Sequence, residues 1–198
     1  MAGRLTRRQV LIGAGAVGVL GSVAPTAVLA DDDNGAELVR WDLVQIQAGV
    51  VLACATDDGR DSATGDVVHL TGSGQAEPAA REANGGGSFV HQHSNGTEVA
   101  HGVYVVTGFN SFQTPGGSLA GIPVRDGIGE VEDTAAGILS MNVLLISSAG
   151  TTVSGVLTVN CDLPPGFPIV EGITLSVGPF KFTQAGGGTL FHVLREAN

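Results

Sequence analysis

The chain has 198 residues and carries 9 Lys and Arg against 19 Asp and Glu, a formal net charge of −10 at pH 7. Charged residues are 14% and hydrophobic ones 43%, which excludes disorder of the low-hydrophobicity, high-charge kind. Glycine, at 31 residues, has about twice its usual share but shows no collagen period, and a single Lys with no basic cluster in the body of the chain excludes a nucleic-acid surface.

Residues 1–30 read as an export signal. Arg4, Arg7 and Arg8 precede an apolar stretch over 10–20, and the small residues leading to Ala30 suit cleavage after it. Thr6-Arg7-Arg8-Gln9-Val10-Leu11 resembles the twin-arginine signal, with Ile12 where such signals often have Lys. A general secretory signal that happens to contain Arg7 and Arg8 is the alternative. The apolar run is shorter than the roughly 20 residues of a membrane span, so no anchor is expected once the signal is cut. The remaining chain, 31–198, keeps six basic and 19 acidic residues, a net charge of −13, which disfavours nucleic acid and anionic lipid as partners. The expected location is periplasmic or extracellular.

From residue 37 onward, short runs rich in Val, Ile, Phe and Thr alternate with Gly, Pro, Asn and Asp. They predict strands at 37–47, 49–55, 66–72, 87–94, 97–112, 137–147, 151–161, 169–177, 180–183 and 188–195. No amphipathic helix pattern lies between them, and only 130–139 suits a helical turn. Residues 113–136 hold Pro115, Gly116, Gly117, Gly121, Pro123, Gly127 and Gly129, and read as one long surface loop. The expected fold is a single-domain, all-β antiparallel barrel or sandwich of about 8–10 strands.

Arg40-Trp41-Asp42, Thr71-Gly72-Ser73-Gly74, Gly85-Gly86-Gly87-Ser88-Phe89, the run from Gly102 to Gly108 and Thr189-Leu190-Phe191-His192-Val193 form Gly–aromatic turn patterns along most of the mature chain. Together they resemble those of uncharacterised secreted bacterial all-β proteins. That resemblance implies an exported β domain and supplies no catalytic residues.

The sharpest local signal is Asn95-Gly96, which suits a type I′ turn because both central residues take positive φ. A two-residue loop pairs His93 with Glu98, His91 with Ala100 and Val90 with His101, and paired side chains share a face. Phe89, His91, His93 and Glu98 then share one face. Val90, Gln92, Val99, His101, Val103 and Val105 share the other, and as the more apolar set they mark the expected core face. His91 and His93, two apart on one strand, can reach one divalent metal ion with Glu98 as third ligand. The plainer reading of the three is a polar, solvent-facing hairpin. His69, His101 and His192 read as single, hydrogen-bonded, partly buried histidines.

Asp57, Asp58, Asp61 and Asp66 crowd a segment that reads as a solvated turn, since it lacks the EF-hand spacing that calcium binding would use. Cys54 and Cys161, the only cysteines, suggest one disulfide in an exported protein. No Gly-x-Ser-x-Gly elbow is present, and the few aromatics, Trp41, Phe109, Phe112, Phe180, Phe182 and Phe191 among them, read as packing. Phe180 and Phe182 should share a strand face with Lys181 opposite. The reading that follows is an exported, non-catalytic β domain that binds an envelope protein or an unknown small molecule and needs no cofactor. Two alternatives stand beside it: a small barrel with an interior pocket for a small molecule or for catalysis, and metal binding through the His-x-His strand. A pocket containing an inward-facing His or Glu would favour the interior-pocket alternative.

Overall fold

The computed structural model describes residues 37–165 and 169–195. Arg7, Arg8 and Ala30 of the expected signal lie outside these residues. The described chain is all-β, with no α-helix, and forms one large sheet of thirteen strands. In chain order the strands are β1 (Glu37–Gln47), β2 (Val50–Ala53), β3 (Thr56–Asp61), β4 (Val67–Thr71), β5 (Ser73–Glu77), β6 (Glu82–Gln92), β7 (Glu98–Gly116), β8 (Arg125–Asp126), β9 (Thr134–Ser147), β10 (Thr152–Cys161), β11 (Gly172–Val177), β12 (Phe180–Gly186) and β13 (Gly188–Arg195). The ten predicted segments each contain a strand. The sequence pattern missed β3, β5 and β8, which is why the expected 8–10 strands become thirteen.

Period-two alternation explains the strongest strands. β9 buries Ala136, Leu139, Met141, Val143 and Leu145, and β10 buries Leu157, Val159 and Cys161. The two pair antiparallel from Ile146 opposite Thr152 to Gly137 opposite Cys161. β9 also pairs with β7 along its other edge. The pairings then run β9-β10-β11-β12-β3-β4-β6-β7 and return to β9, every neighbour antiparallel. A second run of antiparallel pairings links β1, β5, β6, β7, β9 and β13 back to β1. The long strands β6, β7 and β9 therefore belong to both.

β6 changes partner along its length: residues 82–86 pair with β5, and 89–92 pair with β4. The crossover falls at Gly85-Gly86-Gly87. A Cβ on Gly87 would overlap the Thr71 carbonyl oxygen, and Gly85 has φ 120, a conformation L side chains rarely adopt. Trp41, Phe191, Leu43 and Leu190 from β1 and β13 join Leu139, Met141, Leu157, Ile173, Leu175 and Phe182 in one buried cluster. Trp41, Phe182 and Phe191 are core residues as expected, whereas Phe109, Phe112 and Phe180 are partly buried and pack against that core.

The segment 113–136 is more ordered than a wandering loop. β7 extends to Gly116, β8 adds a short parallel pairing to β2, and Val131–Asp133 form a 3₁₀ turn where a helical turn was expected. Leu119, Ile122, Val124, Ile128 and Val131 pack onto the core. Asp126 ties the segment down: its Oδ1 accepts the N–H groups of Ile128 and Gly129, and the buried His192 Nε2–H donates to its Oδ2 at 2.7 Å. This strap crosses the face of β1 and β13 that carries Arg40 and His192, and Arg40 itself pairs with the buried Asp42 at 2.8 Å.

The two cysteines are not bonded. Cys54 is exposed at φ 61 in the turn after β2, while Cys161 is fully buried at the end of β10, where its thiol donates to the Thr189 carbonyl oxygen. The expected disulfide is thus replaced by one surface thiol and one core thiol. Burial pushes the Cys161 thiol well above the usual range, and the charge of Glu171 adds to this.

Candidate ligand pocket

Four hairpin turns, β3–β4, β6–β7, β9–β10 and β11–β12, lie at one end of the eight-strand run. The β6–β7 loop departs from the expected type I′ turn. His93 N–H donates to Thr97 O, Gly96 N–H donates to His93 O, and Gly96 rather than Asn95 takes positive φ, at 84°. This is a three-residue loop with glycine in the left-handed position. The extra residue shifts the register, so that Gln92 stands opposite Glu98 while His91 remains opposite Ala100. Ser147 and Thr151 close the β9–β10 loop in the same way, around Gly150 at φ 82.

The two faces of this hairpin are the reverse of the expectation. Phe89 and Tyr104 are buried, while Val99, Val103 and Val105 are 46%, 51% and 39% exposed. The inner face of β7 is made from Ala100, Gly102 and Tyr104, residues too small or too polar to advertise a core. The valines keep their strand propensity on the outer side.

Above this layer lies a pocket of about 480 Å³. Val68, Phe89, Leu145, Leu175, Phe180 and Phe182 form its apolar walls with Ala100, Val153 and Val177; His91 stands beside the aromatics, and His101 and Glu98 also line it. Phe180 and Phe182 stack at 5.5 Å on one strand face, as their spacing predicted, and the His91 ring stands edge-on to both at 5.0 and 5.3 Å. The volume falls within the range typical of small-molecule sites, roughly 300–1,000 Å³.

His91 and His93 do converge, but on a carboxylate. His91 Nε2–H donates to Asp66 Oδ2 at 3.1 Å, and His93 Nδ1–H donates to the same oxygen at 3.2 Å. Burial raises the Asp66 carboxyl, yet the two histidine hydrogen bonds outweigh it and hold the group below the usual carboxylate range. An ionised carboxylate only accepts, so each ring presents an N–H to it. In neutral His91 this leaves Nδ1 as a free acceptor at the pocket wall. Glu98, the proposed third metal ligand, turns away and accepts from His101 Nδ1–H at 2.6 Å on the exposed rim. His91, His93 and Glu98 therefore do not form a metal site, and no group of three such side chains able to hold an ion is present among the described residues.

Asp66, which the sequence places in a solvated turn, is instead buried. Its signal was the alternation Asp66-Val68-Leu70, which places the acid on the inner face of its strand. The acidic segment around it is not a solvated turn. Asp57 and Asp61 are buried on β3, and Asp61 accepts from the N–H groups of Ala63, Thr64 and Lys181. Those bonds, that from Lys181 first, hold the Asp61 carboxyl below its usual range. They also tie the β3–β4 turn to β12. His69 lies on the outer face against Asp58 at 2.6 Å, and His192 is buried against Asp126, so both histidines have the hydrogen-bonded role expected. His101 is exposed rather than partly buried.

Comparison with family profiles, with curated proteins and with solved structures finds no match. The likeness carried by the Gly–aromatic motifs therefore rests on those motifs alone.

Proposed function

We propose that this is an exported, small-molecule-binding β-barrel that takes an apolar ligand at the hairpin end. The observation that carries the reading is the pocket itself: aromatic and aliphatic walls, one histidine beside the aromatics held in place by a buried acid, and an exposed His101–Glu98 pair at the rim. Apolar walls supply the affinity through area removed from water, about 25 cal/mol per Å². His91 supplies orientation, its Nδ1 accepting from a hydroxyl or N–H on the ligand. The run of eight antiparallel pairings supports a closed barrel, a form whose interior at this strand number has room for one small ligand. The N-terminal twin-arginine-like segment supports export.

A neutral environment-sensitive dye tests the pocket. Binding should rise to one dye per chain in wild type and fall at least tenfold in Ala100→Trp, which fills the upper pocket, with the melting temperature retained. Equal binding by both proteins would overturn the reading. His91→Phe should keep dye binding but lose the preference for a long-chain alcohol over the alkane of equal length.

A further inference from the structure

The opposite ends of the same strands enclose a second cavity of about 500 Å³. Its walls come from Val44 to Ile46 of β1, Val51 of β2, Thr56 at the start of β3, Glu171 just before β11, Asp162 and Leu163 after β10, Gly187 and the first residues of β13 to Leu190. The strap contributes Leu119, Ile122 and Val124. Most of the lining is aliphatic, and no Lys, Arg or His takes part in it.

Among the described residues the carboxylates at this cavity have no cationic partner. The half-buried Glu171 lines it and accepts from the N–H groups of Asp162 and Thr189, at 2.5 and 2.6 Å, and from the Thr189 hydroxyl. Asp162 lines it as well. Behind the wall stands Asp57, with no exposed surface and with neither carboxyl oxygen in a well-formed hydrogen bond; the Asp58 N–H and the Gln184 side chain are the donors beside it. It lies directly against wall residue Gly187, where a Cβ would come 2.7 Å from the Asp57 Cγ. A buried carboxyl so poorly bonded, beside a second, wall-forming one, is costly unless a positive charge comes near. The charged groups acting on Asp57 are Glu171 and Asp58, both acidic, and Tyr104 faces it with an unpartnered hydroxyl.

We infer that this basal cavity is a second ligand site, one that takes an organic cation: a primary ammonium on an apolar body. The ammonium group meets the Glu171 carboxylate, with Asp57 adding negative charge from behind the Gly187 wall. The hydrocarbon body lies against Val51, Leu119, Leu163 and Leu190. A bare metal ion is a poor fit, because hard cations need six or more oxygen ligands and these walls are aliphatic. The site is independent of the hairpin-end pocket. Burial, reinforced by the charge of Glu171, pushes the Asp57 carboxyl up to about 7. Cation binding should therefore strengthen as the pH rises through that value.

The test is hexylammonium against hexanol, titrated into the full chain and followed by the methyl resonances of Leu163 and Leu190. Hexylammonium should bind at this site at least tenfold more tightly than hexanol at pH 8.5, and that ratio should shrink at pH 5.5. Glu171→Gln should remove most of the preference. Asp57→Asn, which keeps the shape of the side chain, should lower it and weaken its pH dependence even if Glu171→Gln fails to fold; burial also raises the Glu171 carboxyl, so some dependence stays. Equal binding of the two probes overturns the inference. So does a cation preference that survives Asp57→Asn unchanged, or one whose shifts appear only at Leu145 and Leu175 of the other pocket.

Discussion

The two ends of the eight-strand run bury their acids to the same extent and treat them in opposite ways. Asp61 and Asp66 at the hairpin end are each 4% exposed, and Asp57 toward the other end is 0% exposed. The first two are held below the ordinary carboxylate range by hydrogen bonds, while Asp57 has no well-formed hydrogen bond and is pushed up to about 7. Burial alone does not decide the direction; the supply of donors does. Around Asp66 two histidines converge, and around Asp61 the turn and β12 supply backbone N–H groups. Asp57 shares a strand with Asp61, yet four residues away it meets glycine, acids and a phenol, and the Gln184 amide and Asp58 N–H beside it are too weakly placed to offset its burial.

This contrast can be broken at several points. The largest effect belongs to the hairpin end: Phe182→Ala removes a fully buried ring beneath His91 and should cost about 3–5 kcal/mol of unfolding free energy, measured by denaturant titration. A loss below about 1 kcal/mol would mean that the pocket floor is loosely packed. Next in size is the pH profile. Asp61 and Asp66 have folded values below the unfolded 3.8, so the stability they contribute is present above that pH and is lost as the pH falls through their folded values. Asp57 has the opposite sign. Its folded value of about 7 exceeds the unfolded 3.8, so its contribution is greatest below 3.8 and is lost as the pH rises from there toward 7. Asp57→Asn should flatten the decline between pH 4 and 7 and raise the denaturation midpoint at pH 8, whereas Asp66→Asn should lower the midpoint at pH 8. Midpoints that move in the same direction in both variants would erase the distinction between the two ends. The smallest effect is chemical. Cys54 should react with a thiol reagent in the native protein and Cys161 only on unfolding, with no change in stability on adding reductant. Protection of Cys54 in the native state would restore the case for a bridge.

Strands whose inner residues are hydrocarbon were legible from the sequence, as β1, β9, β10 and β13 show. β3 was not, because its inner positions are Asp57, Gly59 and Asp61, a set that reads as turn chemistry until β4 and β12 are seen to flank it. β5, with Ser73-Gly74-Gln75-Ala76-Glu77, is likewise a strand by pairing rather than by hydrophobicity. The hairpin's register near His91 was right, but its faces were inverted, since three valines outvoted one phenylalanine in a count of apolar residues. His91 and His93 were singled out as ligands for a metal ion, and what they share in the structure is a carboxylate. Their common acceptor lay 25 and 27 residues away, just before β4, and only the sheet order brings Asp66 beneath them. Both cavities draw their walls from distant parts of the chain, so neither leaves a local motif.

The partner exchange of β6 at its three glycines has a consequence for how the molecule comes apart. β6, β7 and β9 each run through both sets of pairings, so no point in the chain divides the sheet into two pieces with complete edges. Melting β1 and β13 would strip one edge from β9 and bare the backbone of β5, while the hairpins at the far end still held. Because Trp41 and Leu157 also share one buried cluster, amide protons at both should exchange through the same global opening.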